Sequence, residues 1–164
     1  MFSKDDDFNF IAYNILVFLQ VLGCCKESNK FQDITKLSYI GPFISDGNLL
    51  DILVRYQSDA IPNLDERNIL REVYIKNRLR VKWVFSILFA LERQGTVELQ
   101  KNEKRNCIDI WLVSNWYLKN DTIYQYEIQN ALQLKLIEPK IKTLKIDTLL
   151  DKFFKSKGVT VWEA

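Results

Sequence analysis

The chain contains no histidine. That absence removes every Ser–His and Cys–His nucleophilic arrangement and every zinc site that relies on imidazole. Cysteine is scarce. Cys24, Cys25 and Cys107 are odd in number and two are adjacent, which does not make a disulfide framework. With no histidine beside them they form a poor zinc set, and ordinary buried or half-buried thiols are expected. The five glycines are all isolated, so there is no glycine-rich phosphate loop. No paired carboxylates stand out, and Asp5, Asp6 and Asp7 are better explained by helix capping than by metal binding. No catalytic residue, metal or cofactor is therefore expected. Long hydrophobic runs are missing as well. The longest candidate, Ile11 to Leu22, is interrupted by Asn14 and Gln20 and falls short of the roughly 18 to 20 residues that span a bilayer. The start is acidic, the wrong sign for a secretory leader, and a cytoplasmic location is expected.

What is present suffices for a core. With 164 residues, 48% hydrophobic and 13% aromatic, the chain can bury a core without disulfides or metal. The net charge of +2 hides an asymmetry. Residues 1–66 carry five Lys/Arg against ten Asp/Glu, residues 67–106 ten against four, and residues 107–164 eight against seven. A basic centre beside an acidic first third is the footprint of a surface that meets phosphate or an acidic partner.

The most informative stretch runs from Arg78 to Val113. Val81, Val84, Phe85, Leu88 and Leu91 recur at helical spacing, and Gly95 supplies a helix stop. Val97 and Leu99 then alternate with Glu98 and Gln100 in a strand of residues 96–100. Lys101 to Asn106 form a tip. The return strand, residues 107–113, alternates Ile108, Ile110 and Leu112 against Asp109 and Trp111. A helix running directly into such a hairpin is the core of a winged helix.

Upstream, Asp7 caps a predicted helix from Phe8 to Leu22 that Gly23 closes, and residues 24–32 read as a polar loop. Asp33 caps a helix from Ile34 to Ile40, which Gly41-Pro42 interrupts. A short helix spans Asn48 to Tyr56. Leu64 to Asn77 is helical, with Leu70, Val73 and Ile69 as its inward side, and either joins the Arg78–Gln94 helix or breaks near Asn77. Downstream, Asp121 caps a helix from Thr122 to Leu136 that Pro139 ends, and residues 140–146 read as extended. A last helix spans Asp147 to Ser156, Gly158 stops it, and Val159 to Trp162 read as a small strand. The predicted class is mainly α (α+β): a winged helix-turn-helix with a two-stranded wing over residues 1–115, and a C-terminal helical extension over 116–164 packed on it.

Two sets of residues are candidates for contact. Lys76, Arg78, Arg80 and Lys82, with Lys101, Lys104 and Arg105 at the wing tip, form the nucleic-acid set. They are suited to phosphates and carry no base selection; the alternative is a solvated face paired with the acidic first third. The helix cations surround the helix instead of lining one stripe. The aromatic set is Trp111, Trp116 and Tyr117 at the end of the hairpin and Phe153, Phe154 and Trp162 near the C-terminus. These either anchor a partner protein or pack the C-terminal helices onto the rest.

A leading apolar helix precedes Lys36-Leu37-Ser38-Tyr39-Ile40, then Phe43 and Leu49-Leu50. An Arg-bearing helix follows, and Leu88-Phe89-Ala90-Leu91-Glu92-Arg93-Gln94-Gly95-Thr96-Val97-Glu98 runs into the hairpin. Over residues 8–115 this resembles the small middle component of bacterial three-component ABC-ATPase systems, the group that includes Lamassu-type defence. The resemblance implies a non-catalytic accessory subunit. Its partners would be an SMC-like ABC ATPase with coiled-coil arms and an effector such as a nuclease, acting on foreign double-stranded DNA. Two other readings stand beside it. One is a stand-alone transcriptional regulator, which requires a homodimer and a palindromic site. The other is a pure protein-interaction module.

Overall fold

A computed structural model describes residues 7–57, 60–113 and 124–162. These form α1 (Phe8–Val21), α2 (Thr35–Ser45), α3 (Gly47–Arg55), α4 (Leu64–Arg93), β1 (Val97–Asn102), β2 (Cys107–Leu112), α5 (Gln125–Ile137) and α6 (Ile146–Phe153). The chain is mainly helical with a two-stranded antiparallel sheet, a winged-helix-like arrangement. No described helix is long and apolar enough to cross a membrane.

Local signals place most of the boundaries. The Asp7 carboxylate accepts from the Asn9 amide at 2.8 Å and starts α1. Gly23 and Gly95 take left-handed φ values of 71° and 76°, which glycine adopts without a Cβ clash, and they end α1 and α4. Asn63 caps α4, its side chain accepting from the Glu66 amide at 2.9 Å. Leu64–Arg93 is one helix, so the two predicted segments join without a break at Asn77. At about 1.5 Å per residue its 30 residues extend about 45 Å.

Four local expectations fail for tertiary reasons. Pro42 lies inside α2 rather than ending it. The preceding residue is Gly41, which has no Cβ to clash with the proline ring, and Ile40, Phe43 and Ile44 around it are buried. Residues 24–32 are not a simple polar loop. Phe31 and Ile110 exchange backbone hydrogen bonds of 2.8 and 2.9 Å, the Leu112 amide donates to the Cys24 carbonyl, and the Ile34 amide donates to the Ile108 carbonyl. This segment covers the outer edge of β2, so Asp109 and Trp111 are buried along with Ile110 and Leu112. Residues 140–146 turn instead of extending, with the Ile141 amide bonded to the Glu138 carbonyl and the Leu144 amide to the Lys140 carbonyl. Residues 159–162 form no strand. Two boundaries also shift. The hairpin pairs Val97 with Leu112 through Asn102 with Cys107, so Lys101 and Asn102 belong to β1 and the tip shortens to residues 103–106. The last helix ends at Phe153 and continues as a 3-10 turn over Lys155–Lys157, with Gly158 left-handed as expected. Asp121 lies outside the described residues.

One apolar cluster joins the elements. It takes Phe18 and Leu19 from α1, Phe43 from α2, Leu50 from α3, Leu70 and Leu88 from α4, Ile110 from β2, Leu134 from α5 and Phe154 after α6. The C-terminal helices therefore share a core with the winged-helix elements.

Candidate functional site

The basic residues were predicted to mark the start of a recognition helix. In the single long α4 they occupy its middle, and its first turn is acidic, with Asp65 and Glu66. A duplex meeting that end would face carboxylates, although Glu66 is itself held by Arg55 at 2.6 Å.

The seven cations separate into three groups. Arg78 and Arg105 hold the C-terminal segments in place. One Arg78 Nη1 donates to the Trp162 carbonyl at 2.8 Å and to the Tyr74 hydroxyl at 3.1 Å, and its guanidinium lies 5.6 Å from the centre of the Trp162 ring. Arg105 Nη1 donates to the Thr143 carbonyl at 2.7 Å, which ties the hairpin tip to the turn after α5. Lys76 and Arg80 border a cavity between α1, α2 and α4, with the Arg80 guanidinium 5.6 Å from the Trp83 ring centre. Lys82, Lys101 and Lys104 point into solvent, and Lys101 pairs with Glu103 at 3.2 Å. At about 100° per residue, Lys76 and Lys82 lie about 120° apart around the helix. The structure thus does not bring the nucleic-acid set together on one surface.

The aromatic set divides as well. Trp111, Phe153 and Phe154 are buried, which corrects their assignment to a partner-binding surface. Phe153 stands edge-on to Phe43 at 5.4 Å, and Phe154 packs against Tyr74 at 5.4 Å and Phe43 at 6.0 Å. They fill the space between α2, α4 and α6, while Trp111 is buried on β2. Trp162 is half exposed and lies on Tyr74 at 5.8 Å, where its amide donates to the Tyr74 hydroxyl. Trp116 and Tyr117 lie outside the described residues.

Sequence reasoning missed three features. The first is a buried polar seam beside β2. Asp109 Oδ1 accepts from the Asp33 amide at 3.0 Å, Asp109 Oδ2 accepts from Asn102 at 2.9 Å, and Lys30 stands 3.4 Å from Asp109 Oδ2. The second is Lys36, fully buried, whose ammonium donates to the Ile141 carbonyl at 2.8 Å and lies 4.4 Å from the Phe31 ring centre. Burial first, then the nearby Arg105, lower its pKa to about 7, against the raising effect of Asp33, Asp109 and Cys107. Burial likewise pushes the Cys24 thiol up to about 12 and Cys107 to about 11, the pattern of unreactive thiols.

The third is a second face of α4. Leu64, Ile75, Leu79 and Phe89 are all exposed, with Leu79 at 80%. At about 100° per residue they fall within about 80° of one another. Arg71, Lys82 and Arg93 share that face, and Glu72 lies at its edge, about 20° from Leu79. The signal in the sequence was apolar residues out of phase with the core stripe of Val84, Leu88 and Leu91. Ile69, expected to point inward, is also exposed and borders the cavity. No protein-family model, curated protein or solved structure matches this chain.

Proposed function

We propose that this chain is a non-enzymatic assembly subunit that lays the outward face of α4 along a long helix of an SMC-like ATPase. The observation that carries this reading is the exposed line of Leu64, Ile75, Leu79 and Phe89 on a 30-residue helix. Exposed apolar side chains aligned along one element mark a contact surface more than scattered ones do. Interspersed Arg71, Lys82 and Arg93 suit a partner helix whose flanks are acidic. The ATPase and an effector nuclease come from the resemblance of residues 8–115 to the middle components of three-component defence systems.

Leu79→Asp tests the reading, with Leu136→Asp as control. Leu136, on α5, is 79% exposed and lies off the proposed face. Both substitutions sit at the surface and should change stability by no more than about 0.5 kcal/mol. Leu79→Asp is expected to weaken binding to the ATPase about tenfold or more, as for a buried interface anchor, while Leu136→Asp leaves it unchanged. Equal effects of the two would refute the placement of the contact.

DNA enters as a second contact of the assembled complex, through Lys101 and Lys104, the exposed nucleic-acid candidates that lie off the docking face. Reversing both charges is expected to lower affinity about equally for every sequence. It should also flatten the logarithmic salt dependence by up to about two, one for each lost phosphate contact. An unchanged salt slope removes DNA from the account and leaves protein assembly alone.

A further inference from the structure

The outward face of α4 carries a repeat. Arg71, Lys82 and Arg93 follow one another at 11-residue intervals, and all three are exposed. Seven residues before each stand Leu64, Ile75 and Ser86, and three before each stand Asn68, Leu79 and Ala90. The middle unit is the most apolar. In the last, exposed Phe89 beside Ala90 supplies the apolar surface. Eleven residues make three helical turns with about 20° left over, so the three cations stay within about 40° of one line. They stand about 16.5 Å apart along the axis.

A solvated helix face commonly neutralises itself, with carboxylates three or four residues from its cations. No carboxylate lies three or four residues from Arg71, Lys82 or Arg93 on either side. Arg71 Nη2 instead donates to Asn68 Oδ1 at 2.5 Å. Glu72 stands at the edge of the face, and Asp65 and Glu92 lie beyond it. A second copy of α4 laid antiparallel on this face would set Lys82 against Lys82 and Arg71 against Arg93, like charge on like. A duplex would leave Ile75 and Leu79, between the first two cations, against phosphate and water. An acidic helix meets both requirements, because it can place carboxylates on the cations and apolar side chains on Ile75 and Leu79.

We infer that the partner helix carries carboxylates at the same 11-residue period, one opposite each of Arg71, Lys82 and Arg93. A helix with that period runs almost straight beside α4, and the three charge pairs fix its register. The inference rests on the docking reading of α4 and adds to it the charge spacing of the partner.

Two synthetic helices of identical composition, each about as long as α4, test it by calorimetry against the full chain. Both carry one leucine stripe and three glutamates on a single face. The glutamates recur with the period of the cations in one peptide and at heptad spacing in the other. When the central glutamate of the heptad peptide meets Lys82, its outer two fall about 6 Å short of Arg71 and Arg93. The matched peptide is expected to bind about tenfold more tightly at low salt, and the difference to shrink as salt rises. Lys82→Glu is expected to lose most of that preference, and a matched peptide with lysine at its centre to restore it. Equal affinity for the two peptides, no binding of either, or no rescue by the lysine peptide would overturn the inference. Leu79→Asp separates this failure from that of the docking reading. If it weakens both peptides while the parent binds them equally, the docking face stands and the charge spacing falls. If it weakens neither, the docking face falls as well.

Discussion

Phe154→Ala is expected to destabilise the protein by about 3–5 kcal/mol, the range for deleting a fully buried ring. Phe154 is 0% exposed and contacts three other rings, at 5.4 Å to Tyr74, 6.0 Å to Phe43 and 6.3 Å to Tyr39. Those rings belong to α2 and α4, so the cavity left by the substitution would open where the C-terminal segment meets the winged-helix elements. Urea denaturation followed by circular dichroism measures the loss. Trp162→Ala provides the comparison. Its ring is half exposed and its backbone bonds to Tyr74 and Arg78 survive the substitution, so it should cost about 0.5–1.5 kcal/mol, the worth of one aromatic contact. A Phe154→Ala protein as stable as the parent would mean that the ring is not part of the core and would restore it as a candidate partner contact.

Stability is expected to rise between about pH 7 and pH 8.5 because of Lys36. The folded protein holds this amine near pH 7, below its ordinary value of 10.5, through burial. Below about pH 7 both the folded and unfolded chains carry the proton, and the folded state bears the full cost of a buried ammonium. Above that point the unfolded chain binds a proton that the folded chain has released, so the balance moves toward the folded state at up to about 1.4 kcal/mol per pH unit. The gain across the window is about 1–2 kcal/mol. The cysteines work in the opposite direction, but at higher pH. Cys24 and Cys107 have raised pKa values in the folded state, so the unfolded chain loses thiol protons first and stability falls above about pH 9. The absence of histidine leaves no imidazole to titrate in the window. Lys36→Met should flatten the rise while the amino terminus contributes equally to both proteins. Denaturation midpoints at successive pH values provide the measurement, and an identical pH dependence of parent and variant would contradict the assignment.

The parts of the fold legible in the sequence were those controlled by neighbouring residues. Asp7 as a cap, Gly23 and Gly95 as helix stops, and the alternation of Val97 and Leu99 each rest on local chemistry. Pro42 shows where such rules yield. The proline rule predicts an end to α2, but Gly41 relieves the clash and the burial of Phe43 and Ile44 offsets the missing hydrogen bond. Asp109 shows another limit. Alternation along β2 assigns it to solvent, and only the return of residues 24–34 over the strand, a long-range event, buries it. Lys36 could not be distinguished from a surface lysine, because its partners Ile141 and Lys142 lie more than a hundred residues away. For the candidate site, the encircling placement of Lys76 to Lys82 was already visible from spacing. That Arg78 and Arg105 secure the C-terminal segments was not, since their acceptors are backbone carbonyls with no sequence signature. The outward line of α4 was present as out-of-phase leucine, isoleucine and phenylalanine. It became readable only when the core face of that helix was fixed.

A photo-crosslinking residue, benzoylphenylalanine, at position 79 of this chain, mixed with the proposed SMC-like ATPase, tests the central claim most directly, with the same residue at position 136 as reference. The account predicts a crosslink from position 79 to a coiled-coil arm of the ATPase and none from position 136. Crosslinks to the ATPase from position 136 alone, or from position 79 only to DNA, would contradict it.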